Sequence, residues 1–183
     1  MRAFVALELP DQVLDALVRF QGEVSSTGAD LKLVERENLH FTVKFLGEIS
    51  EAEASQACSR ISKLPLRKMN VQVQGAGAFP SATRARVVWA GVARENVQQA
   101  SALAAQVISA LDGIGERDDR PFQAHVTLGR VRSPRNLHQL GDLLARSQDM
   151  HFGAADLTEL KLKSSVLSPR GPVYSDVGVF PLQ

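Results

Sequence analysis

Along the 183-residue chain, apolar and polar positions change period repeatedly, and each change marks an element. "FVALEL" (residues 4–9) is a short apolar strand. "DQVLDALVRFQGEV" follows with Val13, Leu14, Leu17, Val18 and Val24 on one stripe, which predicts an amphipathic helix opened by Pro10-Asp11. "TGAD" ends it, and a strand begins at Leu31–Val34. His40–Leu46 alternates strictly and reads as a strand. Ser50 and Glu53 form a capping-box pattern, so a helix is predicted to about Leu64, before a strand at Val71–Gln74.

The second part of the chain repeats the order. A strand at Arg86–Val92, a helix at Glu95–Leu111, a polar turn "DGIGERDDRP", a strand at His125–Val131, a helix at Asn136–Ala145 and strands at Phe152–Leu157 and Glu159–Val166 are predicted. A last strand, Val173–Phe180, has no counterpart in the first half. The series predicts an internal duplication at the level of elements. It gives an α+β fold of two similar lobes, each an antiparallel sheet backed by helices. Residues 1–183 are expected to form this one two-lobed domain, because no low-complexity linker divides them.

Composition narrows the picture. A 44% apolar and 22% charged chain is an ordinary globular one, and the net charge of +1 confines any phosphate-binding surface to a local patch. The single cysteine, Cys58, favours a reducing compartment and a small apolar role in its helix. The apolar stretch at the N-terminus is too short for a signal segment and is broken by Glu8, and none is long enough to span a bilayer. A soluble, cytoplasmic protein is expected.

Two of the four histidines sit in the same strand pattern: "HFTV" (His40–Val43) and "HVTL" (His125–Leu128). Thr occurs five times, so each His has roughly a 3% chance of a Thr two places on, and two such hits by accident are improbable. On alternating strands His40, Thr42 and Lys44 share one face, against Phe41, Val43 and Phe45. His125, Thr127 and Gly129 likewise oppose Val126 and Leu128. A His and a hydroxyl about 6–7 Å apart along a strand can hold one tetrahedral anion. Two such strands could bracket a phosphate, one imidazole taking a proton from water and the other giving one to the leaving oxygen. The plain alternative, a cross-strand hydrogen-bonding pair, suits one copy better than two. Neither motif has a further ligand at metal spacing. His138, on a helix, is expected to be solvated, and His151 to begin a strand.

"NLHFTVKFLGE", "FPSATRARVVWAGV", "PFQAHVTLGRV" and "SVLSPRGPVYS" resemble, in order and over Phe4 to about Val179, the motifs of the two-histidine phosphoesterase superfamily. Within it they resemble the RNA 2′,3′-cyclic phosphodiesterases, historically called 2′-5′ RNA ligases. The resemblance implies a bilobal pseudo-duplicated fold with the active cleft between the lobes, no metal, and action on RNA with a 2′,3′-cyclic phosphate end; no cofactor and a monomer are expected. The product would be a 2′-phosphate. It implies His40 as proton donor to the 3′ oxygen, His125 as proton acceptor from water, and Thr42 and Thr127 as phosphate ligands. Ligation of the cyclic end to a 5′-hydroxyl could use the same histidines. A non-catalytic RNA- or nucleotide-binding module is the third reading.

The accompanying cation has two candidates. Lys44 shares the face of His40. Arg130 stands where the family often has a basic residue, but alternation puts it on the wrong face unless a bulge or twist intervenes. Arg130, Arg132 and Arg135, with Lys161, Lys163 and Arg170, form basic stretches that could follow an RNA backbone. Phe79, Phe122 and Tyr174 are candidate base-stacking rings, each also readable as core, and Phe4 and Trp89 read as core.

Overall fold

The computed structural model describes every residue except Asp119 and Arg170. The described chain forms β1 (Arg2–Glu8), α1 (Asp11–Ser26), β2 (Leu31–Leu33), β3 (His40–Glu48), α2 (Glu51–Ile61), β4 (Met69–Phe79) and β5 (Val87–Val92). It continues through α3 (Val97–Ala110), β6 (Val126–Val131), α4 (Leu137–Ala145), β7 (His151–Leu157), β8 (Glu159–Ser168) and β9 (Gly171–Pro181). The predicted capping box closes the start of α2: Ser50 accepts from the Glu53 amide at 3.2 Å and its own amide donates to the Glu53 carboxylate at 2.8 Å. β4 runs well beyond the predicted Val71–Gln74. Its glycines disguise the strand pattern, but pairing with β5 on one side and β7 on the other carries the strand to Phe79.

All pairings are antiparallel, in the order β7-β4-β5-β6-β3-β1-β8-β9, with the short β2 added to β6. The order is two-fold about its middle: β6 mirrors β3, β5 mirrors β1, and β4 mirrors β8. This is the expected α+β pseudo-duplication, but the halves of the chain are not the lobes. β4 belongs to the first repeat in sequence, yet it pairs with β5 of the second, while β8 returns to pair with β1. Helices cross over too. α1 packs on β6 and β7, where Phe20 meets Phe152 edge-on at 5.4 Å, and α3 packs on β3. Each lobe is completed by the other half, so neither has its own core without the other.

The face of the sheet under the helices is dry. Val5, Leu46, Val88, Val126 and Leu128 on the strands are fully buried, as are Leu17 and Phe20 on α1. Burial of a side chain of this size is worth about 1.5–3 kcal/mol. The opposite face, along the β3–β6 seam, carries the motif residues.

Candidate active site

β3 and β6 meet through a single ladder pair, Phe41 with Val126, both buried. Cross-strand partners share a face. With Phe41 and Val126 turned into the core, His40, Thr42, His125 and Thr127 all fall on the other side. Carrying the register one residue each way sets His40 opposite Thr127 and Thr42 opposite His125. The two motifs thus surround one point on the pseudo-two-fold axis. Cavities of about 470 and 510 Å³ open beside it, the first at His125 and the second at His40, and Thr42, Phe45, Thr127 and Arg130 line both.

Both imidazoles are held alike. His40 Nδ1 lies 2.7 Å from the Asn38 carbonyl oxygen, and His125 Nδ1 lies 2.7 Å from that of Gln123. A carbonyl can only accept, so Nδ1 carries the proton and Nε2 keeps its lone pair in the neutral ring. The Thr42 hydroxyl donates to His40 Nε2 at 3.0 Å. Burial pushes the His40 imidazole down to about 4; the Asn38 carbonyl and Glu8 oppose the shift and Lys163 adds to it. Burial also lowers His125, and Arg130 and Arg120 lower it further against the Gln123 carbonyl. Both rings are neutral at pH 7 in the free protein.

Aromatic rings frame them. Phe4 stacks on His40 at 5.0 Å and 21°, and Tyr174 stands edge-on to both His40 (5.7 Å) and Phe4 (4.9 Å). Phe79 meets His125 edge-on at 5.0 Å. Phe4 is buried as expected, but on the cleft side of the sheet and against the histidine. Phe122 is half-buried between the cavities around His125. Trp89 is not the core residue its strand suggested. Its partner is Thr127, so it shares the cleft face, while Val88 and Ala90 point into the core.

The cation question is decided by two bulges. On β6, Gly129 pairs with Val88 and Thr127 with Trp89, which leaves Leu128 as an extra residue. The phase slips there and Arg130 comes to the cleft, lining both cavities with Thr127. On β3 the extra residue is Val43, at the same motif position, because Lys44 pairs with Val5 and Thr42 with Ala6. Strict alternation therefore misplaced two side chains. Phe45, expected in the core, is 47% exposed on the cleft face. Lys44, expected beside His40, turns with Val5 toward α3 and borders the His125-side cavity near Asp118.

The basic stretches are mostly occupied. Lys161 and Lys163 are tied into one cluster with Glu8 and Asp176; Lys163, 9% exposed, reaches Asp176 at 2.7 Å and also Glu8. Glu8 is the β1 partner of His40, so this cluster stands beside the imidazole. Arg132 pairs with Asp30 at 3.3 Å, and Arg135 donates to the Gly28 carbonyl. Arg170 lies outside the described residues. Burial pushes the Cys58 thiol up, as befits an unreactive residue. His138 is solvated, with an Asp142 carboxylate oxygen 3.2 Å from its Nδ1, and the exposed His151 opens β7. Among the described residues, no three His, Cys, Asp or Glu side chains could hold a metal ion, and no helix is long and apolar enough to cross a membrane.

The chain is similar to known proteins over its full length. It is 37% identical to an RNA 2′,3′-cyclic phosphodiesterase of Methanothermobacter thermautotrophicus, covering 100% of this chain and 99% of the relative. It is 36% identical to the protein of that name from Archaeoglobus fulgidus, covering 98% and 99%. A crystal structure of a Thermus thermophilus protein superposes with a TM-score of 0.75 at 31% identity, covering 100% of this chain and 98% of that one. The apo form of E. coli LigT superposes with 0.80 at 23% identity, covering 99% and 96%, a likeness of fold. The family described as LigT like phosphoesterase matches twice, over residues 7–89 and 91–174, one match for each repeat. The chain belongs to the LigT-like phosphoesterase family.

Proposed function

We propose that this protein hydrolyses the 2′,3′-cyclic phosphate at an RNA 3′ end to a 2′-phosphate, without metal or other cofactor. The observation that carries the reading is the matched pair of imidazoles. Each is locked through Nδ1 to the carbonyl two residues before it, and both stand with both motif threonines around one cleft. The relatives' names supply the substrate class.

His125 acts as the base. Burial keeps it neutral, and the charged groups acting on it, Arg130 and Arg120, are cationic and push the same way. His40 acts as the acid. Burial keeps it neutral in the free protein, but an entering phosphodiester anion beside it, together with Glu8, favours the imidazolium. Water attacks phosphorus and gives its proton to His125 Nε2. The bond from phosphorus to O3′ breaks, and O3′ takes the proton from His40 Nε2. Thr42, released from His40 Nε2, joins Thr127 and Arg130 on the phosphoryl oxygens, where preorganised donors stabilise the developing charge. Arg130 takes the role for which Lys44 was the other candidate. Phe45, Phe122 and Tyr174 offer flat faces to the bases, and Arg170 remains a candidate contact. The reading includes a monomer in the cytoplasm, with RNA as its partner.

The test is turnover of a cyclic-phosphate-ended oligoribonucleotide in excess EDTA. The 2′-phosphate product is expected, with a loss of about 10²- to 10⁴-fold in each of His40→Ala and His125→Ala. Full activity in either variant, or abolition by EDTA, overturns the reading.

A further inference from the structure

The pseudo-two-fold axis relates the two histidines, but not what stands behind them. On the His40 side, β1 sets Glu8 opposite His40, Ala6 opposite Thr42 and Phe4 opposite Phe45. β8 then sets Lys161 opposite Ala6 and Lys163 opposite Phe4. On the His125 side, β5 sets Ala90 opposite Val126, Trp89 opposite Thr127 and Val87 opposite Arg130. β4 then sets Gly77 opposite Trp89 and Phe79 opposite Val87. One step along that register, Gly91 takes the place that Glu8 holds. Glu8, Lys161 and Lys163 are thus matched by Gly91, Gly77 and Phe79. A charged backing to one histidine answers an uncharged backing to the other.

The charged backing is a closed square. Lys161 Nζ lies 2.8 Å from the Glu8 carboxylate and 3.0 Å from that of Asp176. Lys163 reaches the same two carboxylates, Asp176 at 2.7 Å. The lysine side chains are only 14% and 11% exposed, so solvent ions screen these pairs weakly. Two ammonium groups and two carboxylates sum to zero, and Glu8 is held as the cross-strand neighbour of the imidazole. Burial lowers the His40 pKa most and the Asn38 carbonyl opposes it; of the charges, Lys163 disfavours the proton and Glu8 favours it. The other charged groups around the same cavity are Arg2, Lys32, Glu35, Arg130 and Arg132, with the Tyr174 phenol edge-on to the ring. At His125 the acting charges are both cations, Arg130 and Arg120.

We propose that Lys163 and Lys161 are positioning residues for the acid: they fix the Glu8 carboxylate beside His40 and offset part of its charge, which sets how readily His40 holds the proton it gives to O3′. The inference rests on the reading of His40 as the acid. An uncompensated carboxylate there would retain the proton on a ring that must release it. Cations alone would keep the ring unprotonated, which suits the base and not the acid. The His-x-Thr motifs are the same on both sides of the cleft; their backing is what makes the two histidines unequal.

An NMR titration of the histidine rings reads the effect directly, with the His40 signal assigned by its loss in His40→Ala. Glu8→Gln removes a negative charge and should lower the imidazolium fraction of His40 at a fixed pH by about three- to tenfold. Lys163→Met removes a positive charge and should raise that fraction by about the same factor. Lys161→Met should act in the same direction as Lys163→Met, and it decides the matter where Lys163→Met does not fold. Lys163→Arg keeps the charge and should leave the titration where it is, and the His125 signal should not move in any of these variants. On a cyclic-phosphate dinucleotide at alkaline pH, kcat/KM of Lys163→Met should exceed that of Glu8→Gln by at least about threefold. A merely structural role would move the lysine and glutamate variants the same way or move neither, and either result overturns the proposal. Opposite titration shifts with equal kcat/KM overturn it as well. Full activity in His40→Ala overturns the reading of His40 as the acid, while the titrations still show whether the square controls its proton.

Discussion

Phe45 and Arg130 occupy equivalent places in the two motif strands. Each lies three residues past its motif threonine and is carried onto the cleft face by a bulge, at Val43 in one strand and Leu128 in the other. The pseudo-symmetric cleft thus has one flat apolar wall and one cation. Removing a hydrogen bond to a charged group costs about 1.5–3 kcal/mol, so Arg130→Ala should lower kcat/KM by roughly 10- to 150-fold, with Arg130→Lys between. Phe45→Ala should act mainly on KM. Steady-state kinetics on a cyclic-phosphate dinucleotide separate the two.

The buried His40 makes acid stability diagnostic. Its folded-state pKa of about 4 lies below the ordinary 6.5, so between those values the unfolded chain binds more protons. Its neutral burial costs nothing above pH 6.5. Stability falls as pH drops from about 6.5 to 4, by about 3 kcal/mol in all. The lowered carboxyl values of Glu8 and Asp176 act further down, where those groups take up protons. Denaturant unfolding of His40→Ala should show a flatter dependence between about pH 7 and about pH 4.5 than the native protein. An equal slope would show that His40 does not cause the loss.

Lys161 and Arg130 are both basic, but only Arg130 faces the cleft without a carboxylate partner among the described contacts. Arg130→Ala should reduce the salt dependence of RNA binding by about 0.7 in log–log slope, the increment for one phosphate contact on a single strand. Lys161→Ala should leave that slope unchanged and lower the melting temperature, because it removes one of the two ammonium groups that hold Glu8 and Asp176. Binding titrations across a salt series, with thermal melts, test both.

Two glycines in the turn after α3 should behave differently. Gly115 has φ +67°, and a Cβ there would stand 2.1 Å from the Leu46 carbonyl oxygen. Its neighbour Glu116 donates its amide to that same oxygen at 2.7 Å, fastening the turn to β3. Gly113 has φ +75° but open space around it. Gly113→Ala should cost about 1 kcal/mol from backbone strain alone, and Gly115→Ala at least about 2 kcal/mol more, measured by chemical denaturation.

Much of this was legible in the chain. Periodicity located the strands and helices, because a side chain's burial follows its position along the element, and Ser50 with Glu53 marked a helix start by local chemistry alone. The duplicated His-x-Thr was legible for the same reason: two residues apart on a strand means one face. What failed was alternation beyond the threonines. A bulge depends on how many residues the neighbouring strand offers, so Phe45, Lys44 and Arg130 could not be placed from β3 or β6 taken singly. Trp89 was misread likewise. Its strand has one buried face and one facing the cleft, and an aromatic residue suits either.

By itself the sequence determined the elements, their repetition and the four polar groups that share a strand face, because these depend on local geometry and on the chemistry of neighbouring residues. Tertiary structure alone decided that β4 and β8 change places between the repeats. It also set the bulges that bring Arg130 to the cleft and the burial that keeps both imidazoles neutral. Those outcomes depend on pairing and on exclusion of water between segments far apart in the chain, and no local pattern carries that information.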